Sequence, residues 1–374
     1  MKFNVAGKAF QQQLQAVSKV INSKNTLSIL DNFLLRVEGN ILTIVGADSE
    51  NLMRASMEVL DSESDGAIAV SAKMLMEVTK EISNQPISFS VNEETQQIDV
   101  SFLNGQFNFS GINAAEYPDK LPEMDNAIEI SVPAEMVKKG IDNTLYAVSQ
   151  EPIRPMMTGI FWDIHNDDIT FVASDTHKLV KYVNTMAAPG VETSFIMPAK
   201  PAAIIRNIIS KEDGPVSIVM DSKSATFRFA NYEISCRFIK GNYPNYNRVI
   251  PSSSPFVMNI SREALLIAMR RVAIFANKAS NLVKFTIAPT DVLLEAQDLD
   301  YQTSAKEKVP CQYEGNEMTI GFNAGFTVEI LSNIPGDDAL IQLSDPARPG
   351  IFAPAEQQPG ENLVIVQMPL QVFD

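Results

Sequence analysis

Histidine and cysteine are scarce, with two of each in 374 residues. Cys236 and Cys311 stand far apart and lack the C-x-x-C spacing of a zinc or redox site, so they read as ordinary reduced thiols. The sequence also lacks a G-x-x-x-x-G-K-S/T phosphate loop, a G-x-S-x-G elbow and an H-E-x-x-H pair. Only scattered carboxylates are then left for catalysis, and no catalytic residue, metal or cofactor is expected. There is no run of about 18 apolar residues and no apolar stretch behind Met1-Lys2-Phe3-Asn4-Val5, so neither a membrane span nor secretion is expected, and the chain reads as cytoplasmic. Positive charge is short as well: 30 Lys and Arg against 45 Asp and Glu leave a net charge of -15. That excludes a uniformly basic surface of the kind that binds nucleic acid.

The few polar residues that draw attention have plainer roles. Asp167 and Asp168 follow Asn166 between two apolar strands, where a hairpin turn wants such residues. His177 has the pKa range of a general base, but no nucleophile or metal set accompanies it, which favours recognition or packing. Trp162, in Ile160-Phe161-Trp162, reads as a core residue of a strand.

What is present is a globular composition, 45% hydrophobic and 20% charged, in a chain long enough for two or three domains. One pattern recurs three times at a period of roughly 125 residues. Each unit opens with a short strand and a helix: Phe3 to Val5 before Gly7 to Ile21, Ile128 to Val132 before Ala134 to Val148, and Phe256 to Ile260 before Arg262 to Phe275, with Ser261 as an N-cap. A hairpin ending in an aspartate follows, and Asp48, Asp175 and Asp298 are expected to be equivalent. A second strand and helix come next: Ala67 to Val70 before Ala72 to Ile82, Ser194 to Met197 before Ala199 to Ile209, and Met318 to Phe322 before Ala324 to Leu331. Alternating strands such as Ile87 to Val91, Ile98 to Phe102 and Ala225 to Phe229 close the units. Proline-bearing joins at Tyr117-Pro118-Asp119-Lys120-Leu121-Pro122 and at Tyr243 to Pro251 set expected domains at 1–122, 123–251 and 252–374. The expected class is α+β, with two helices per unit packed by one apolar stripe on antiparallel sheet. Phe10, Leu14, Val17 and Ile21 form that stripe in the first helix.

Charge divides unevenly between these layers. The six helical segments (7–24, 71–84, 133–150, 198–211, 261–278 and 323–334) carry +3, 0, 0, +3, +3 and -1, a total of +8, which leaves -23 elsewhere. The cations concerned are Lys8, Lys19, Lys24, Lys200, Arg206, Lys211, Arg270, Arg271 and Lys278, while Lys73 and Lys80 are balanced by Glu77 and Glu81. A phosphate backbone would be drawn to the helices and repelled by the rest. Base-reading devices are missing, so any DNA contact should be sequence-independent.

The three-unit plan, the Met1-Lys2-Phe3 start, Ser174-Asp175-Thr176-His177-Lys178-Leu179, the Gly241 to Pro251 join and the tail Met368-Pro369-Leu370 together resemble the bacterial β sliding clamp, the processivity subunit of DNA polymerase III, over the whole chain. The resemblance implies a non-catalytic head-to-tail homodimer, a six-domain ring of three clamp domains per chain with helices lining the hole. Its implied partners are double-stranded DNA, held by topology, and the replicative polymerase, clamp loader and repair polymerases, which dock short linear peptides. The implied peptide pocket comprises Met157, Thr176, His177, Lys178, Leu179, Pro244, Arg248, Val249, Asn323, Phe326, Ala347, Val366, Met368, Pro369 and Leu370. Lys24, Lys73, Lys80, Arg154, Lys200 and Arg206 are expected to face DNA. Phe107 and Phe109, in the strand around Gln106 to Phe109, and Arg271, Ile274 and Phe275 are expected at the dimer interface. Thr176 stands where the family often has glycine, Lys178 and Gln371 where it often has arginine, and the tail continues through Val372-Phe373-Asp374.

Two other readings fit parts of the sequence. A β-rich enzyme with scattered carboxylates would suit the acidic composition, and salt-sensitive association with DNA by a dimer would separate it from a clamp. A purely structural repeat protein would suit the repeats but leaves the charge division unexplained.

Overall fold

The computed structural model describes residues 1–210 and 214–372, so Lys211 and the tail residues Phe373 and Asp374 lie outside the described residues. Among them are six α-helices: α1 (Gly7–Ser18), α2 (Ala72–Ile82), α3 (Ala134–Thr144), α4 (Ala199–Ile208), α5 (Arg262–Ala273) and α6 (Ala324–Asn333). Every strand pairing is antiparallel, and the chain has the expected α+β class. Each helix follows directly on a strand, and at three of these corners a side chain caps the first turn. Ser71, Ser261 and Asn323 accept from the backbone N–H of Met74, Ala264 and Phe326 at 3.4, 3.4 and 3.2 Å, each satisfying one of the unpaired donors of a first turn.

Several helices stop earlier than their apolar periodicity. α1 ends at Ser18 and not Ile21, because the chain tightens there, with Val20 N–H donating to the Val17 carbonyl at 3.1 Å. The next residues, Ile21, Asn22 and Ser23, are poor helix formers. α3 passes into a 3-10 turn at Leu145–Ala147, and α5 ends at Ala273. The helices proper therefore carry +1, 0, 0, +2, +2 and -1, or +4, not +8, and Lys19, Lys24 and Lys278 sit on the turns that follow.

The chain forms two compact units, residues 1–138 with 200–238 and residues 139–199 with 239–374. The first holds a five-stranded and a nine-stranded sheet, the second a twelve-stranded sheet. In the nine-stranded sheet, Asn51–Glu58 of the first repeat pairs with Tyr232–Arg237 of the second, with Leu52 opposite Ser235. In the twelve-stranded sheet, Lys178–Asn184 of the second repeat pairs with Glu361–Gln367 of the third, with Leu179 opposite Val366. Each join between repeats is thus a continuous ladder, which explains why the second repeat is shared between the units.

The third strand of each kind has no such partner. Gly105–Ser110 lies at the end of the five-stranded sheet and pairs only with Gln97–Phe102. Thr303–Glu314 pairs with Asp291–Asp298 along residues 303–310, but its other edge meets Phe256–Ser261 only from Cys311 onward. Among the described residues these two strands keep an open edge at the positions equivalent to the closed joins, a state that soluble proteins avoid unless something covers them.

The cores are mainly aliphatic, with aromatics as their largest buried side chains. Trp162 is fully buried between Phe171 and Phe195, at ring distances of 4.4 and 5.3 Å, and Phe3 stacks on Phe89 at 4.9 Å. Asp167 and Asp168 occupy the turn between Gly159–Ile164 and Ile169–Ser174. Cys236 is buried and free, its thiol pushed up to about 12 by burial, and Cys311 is also free.

Candidate functional site

The three hairpin aspartates build the same turn. Asp48 Oδ1 accepts from the backbone N–H of Glu50 and Asn51 at 2.8 and 2.7 Å, Asp175 Oδ1 from those of His177 and Lys178 at 2.9 and 2.8 Å, and Asp298 Oδ1 from those of Asp300 and Tyr301 at 3.0 and 3.3 Å. In the second unit this turn forces Thr176 to φ +79°, a conformation that suits glycine and strains a β-branched residue.

The Asp175 turn carries the candidate pocket, all fifteen residues of which belong to the second unit. Lys178 is buried, and its ammonium bonds Asp175 Oδ2 at 2.6 Å and Glu329 Oε2 at 2.9 Å while sitting 4.6 Å from the centre of the Phe326 ring. The His177 imidazole stacks on the same Phe326 ring at 5.4 Å and 20°. His177 carbonyl accepts from Met368 N–H at 2.9 Å, and Leu370 N–H donates to Gly321 carbonyl at 2.8 Å, so the tail is tied to both sides. Leu179 and Val366 form the floor with Val172 and Tyr246, flanked by Phe161, Tyr243 and Ile250. Tyr243 stacks on Phe161 at 4.9 Å, and burial, first of all, raises its pKa. Tyr246 donates to Asp163 Oδ2 at 2.8 Å, which pins the join that presents Pro244, Arg248 and Val249, all exposed. Met368 is exposed too, while Pro369 and Leu370 are half-buried and, with Ala347, border a cavity of roughly 470 Å³. Met157 is half-buried on the 3-10 turn Pro155–Met157, whose last carbonyl accepts from Ser149 N–H at 2.8 Å.

Together these residues make the candidate trough: mostly apolar side chains on a backbone frame held by hydrogen bonds, a chemistry suited to an extended peptide with aliphatic and aromatic anchors. Sequence reasoning missed three residues that hold it. Gln367 is fully buried, with Oε1 accepting from Thr327 Oγ1 at 3.0 Å and Nε2 donating to Asn323 carbonyl at 3.1 Å. It locks the start of α6 to the tail strand. Glu329 and Tyr246 were also passed over, although a lone glutamine in Leu363-Val364-Ile365-Val366-Gln367 was a visible signal. Among the described residues no group of three or more His, Cys, Asp or Glu is placed to hold a metal ion, and no helix is long and apolar enough to cross a membrane.

The expected DNA-facing residues differ in availability. Lys24, Lys73, Lys80 and Arg154 are exposed, and among the described residues their side chains make no hydrogen bond or ion pair. Arg206 is exposed on α4, and its carbonyl accepts from Lys138 Nζ at 3.4 Å. Lys200 is different: its ammonium bonds Val20 carbonyl and Asn22 Oδ1 at 2.5 Å each and Asp48 Oδ2 at 2.6 Å. Burial acts to raise the Asp48 pKa, but Lys200 and the turn amides outweigh it and hold the carboxyl below the ordinary value. Lys200 thus caps the carbonyl end of α1 in place of offering a free charge.

The expected interface residues sit beside the two open edges. Phe107 and Phe109 lie on Gly105–Ser110, half-buried, with Phe107 5.0 Å from Phe102. Ile274 and Phe275, just past α5, are 68% and 38% exposed. Arg271 on α5 is paired with Glu307 of Thr303–Glu314.

The family models for the N-terminal, central and C-terminal domains of the DNA polymerase III beta subunit match residues 1–122, 131–245 and 247–370. The beta sliding clamp of Staphylococcus epidermidis is 25% identical over 98% of both chains, and that of Pseudomonas aeruginosa is 25% identical over 92% of this chain and 94% of its own. Two solved DnaN sliding clamps bound to griselimycin, from Pseudomonas aeruginosa and Bartonella birtlesii, cover this chain and themselves fully, with TM-scores of 0.94 and 0.91 and identities of 25% and 26%. By its three matched domains, taken with the repeated joins described above, the chain belongs to the β sliding clamp family, the β subunit of DNA polymerase III.

Proposed function

We propose that two copies of this chain close head to tail into a six-domain ring around duplex DNA and hold the replicative polymerase there as a non-catalytic processivity subunit. The observation that carries this reading is the repeat of the joins. Two of three equivalent strand pairs are closed within the chain, and the third pair, Thr303–Glu314 and Gly105–Ser110, is left open at complementary edges. A second copy supplies the missing partner at each end, and Phe107, Phe109, Ile274 and Phe275 give that contact its apolar anchors. We place the three domains at 1–122, 123–251 and 252–374.

A ring retains DNA by topology, so its lining needs only weak, registry-free attraction to phosphates. Lys24, Lys73, Lys80, Arg154 and Arg206 are the cations offered for this, with Lys200 supporting α1 from behind. The -15 net charge keeps DNA from adhering elsewhere. Clamp loader, replicative polymerase and repair polymerases dock peptides in the trough of the Asp175 turn, where griselimycin-bound relatives support a ligand site on this family. We infer a cytoplasmic location, since a replication subunit works on chromosomal DNA.

The test is retention on primed circular DNA after loading by a cognate clamp loader, before and after a single cut in the circle. The proposal expects retention on the circle and loss through the ends; equal loss from both forms would contradict it.

A further inference from the structure

The Asp48 turn in the first unit repeats the backbone frame of the Asp175 turn, yet nothing in the reading above gives it a ligand. The correspondence is residue by residue. Leu52 stands opposite Ser235 as Leu179 stands opposite Val366. Leu34 pairs with Val45 as Phe161 pairs with Val172. Buried Tyr117 faces the Ala47 backbone as Tyr243 faces that of Ser174, and each tyrosine is followed by a proline, Pro118 and Pro244. Over this frame lies a cavity of roughly 290 Å³ bordered by Leu27, Leu30, Leu52, Pro118, Lys120 and Arg237.

The differences define what it would take. The helix that brings Phe326 to the Asp175 turn is matched here by α4, whose third residue is Pro201 and whose second, Lys200, spends its ammonium on Asp48. The aromatic half of the trough therefore has no counterpart, and one aliphatic position is left. Leu30 is buried beneath it, and Leu27 stands 60% exposed at its rim. One charge at the mouth is uncompensated: Asp48 is taken by Lys200 and Glu50 lies 3.6 Å from Arg237, while Lys120 is exposed without a partner among the described residues. An apolar slot beneath unpaired positive charge complements a branched aliphatic side chain next to a carboxylate.

We propose that the first unit holds a second, smaller anchor pocket, the repeat counterpart of the peptide trough, which binds a leucine-type side chain with an adjacent carboxylate, as in a short acidic peptide. The choice of a peptide as ligand class rests on the trough reading, but the pocket itself rests on its own geometry.

The experiment titrates N-acetyl-leucine into the intact dimer, methyl-labelled at leucine and valine, and follows each site by its own NMR signals. The expected result is a saturable shift of the Leu27 and Leu30 methyls. N-acetyl-leucinamide, which lacks the charge, should bind there roughly fivefold more weakly, and Lys120→Met should weaken the acid by a similar factor. Leu27→Arg, at an exposed position, should leave the fold intact and remove the Leu30 response. Unmoved Leu27 and Leu30 signals, or equal affinity for acid and amide, would overturn the proposal. Leu179 reports the trough separately, so a silent Leu179 with responsive Leu27 and Leu30 would count against the trough and not against this pocket.

Discussion

The two closed joins share a backbone and differ in how each aspartate obtains its cation. At the first, Asp48 takes Lys200 from α4, an arrangement that ties a helix to the end of α1. At the second, Asp175 takes Lys178 from its own turn, and α6 is free to present Phe326 beside His177. The same fold element therefore fastens α4 to the end of α1 in one place and in the other leaves its helix to present an aromatic ring beside the turn. The change lies in a few side chains at fixed backbone positions, which is how a repeated fold acquires distinct sites without altering its frame.

The third, open join allows the largest test of this comparison. Ile274→Ala with Phe275→Ala should leave folded monomers, because these exposed side chains contribute anchors to the contact and little to the domain cores, and the dimer constant should weaken on the order of a hundredfold or more by sizing. Dimers of undiminished strength would remove these residues from the interface. At the second join, Gln367→Leu strands buried polar groups at the start of α6 and should cost about 1–3 kcal/mol in unfolding of the second unit. Phe326→Ala removes the His177 stack and the Lys178 contact, and should weaken a leucine- and phenylalanine-bearing partner peptide by about tenfold with the dimer unchanged. Unchanged affinity would show that the trough lies elsewhere.

Acid should distinguish the joins through Asp48. Its folded pKa lies below the ordinary aspartate value, so the stabilisation is present above that value and is lost as pH falls through the lowered folded one. Thermal unfolding of the wild type should show that acid-side loss, and Lys200→Met should flatten it. A Lys200→Met profile parallel to the wild type would dissociate the shift from the ion pair. The smallest effect concerns backbone strain: Thr176→Gly should raise the stability of the second unit by up to about 1 kcal/mol, since glycine adopts φ > 0 freely but loses more entropy on folding.

Much of this was readable from residue order, and the failures have physical causes. α2 was bounded at both ends because Ser71 supplies a cap and the apolar stripe stops with the helix. The equivalence of Asp48, Asp175 and Asp298 was visible because a local turn motif depends on neighbours within three residues. The hydrophobic spacing of α1 continues through Ile21 although its helical backbone ends at Ser18, so spacing alone makes the helix too long. Lys200 is legible in the sequence only as a helix cation expected to face DNA, because its partners lie 152 to 180 residues away, beyond any local pattern. The second pocket was hidden for the same reason: its rim joins Leu27, Lys120 and Arg237, which only strand pairing brings together.

The most direct test of the central claim, that a second copy completes the third join by strand pairing, is amide hydrogen exchange across a dilution series. The account predicts that amides in 105–110 and 303–309 are protected at high concentration and lose protection together as the dimer dissociates, while those of Asn51–Glu58 and Lys178–Asn184 do not change. Exchange at 105–110 and 303–309 that is equally fast at every concentration would contradict it.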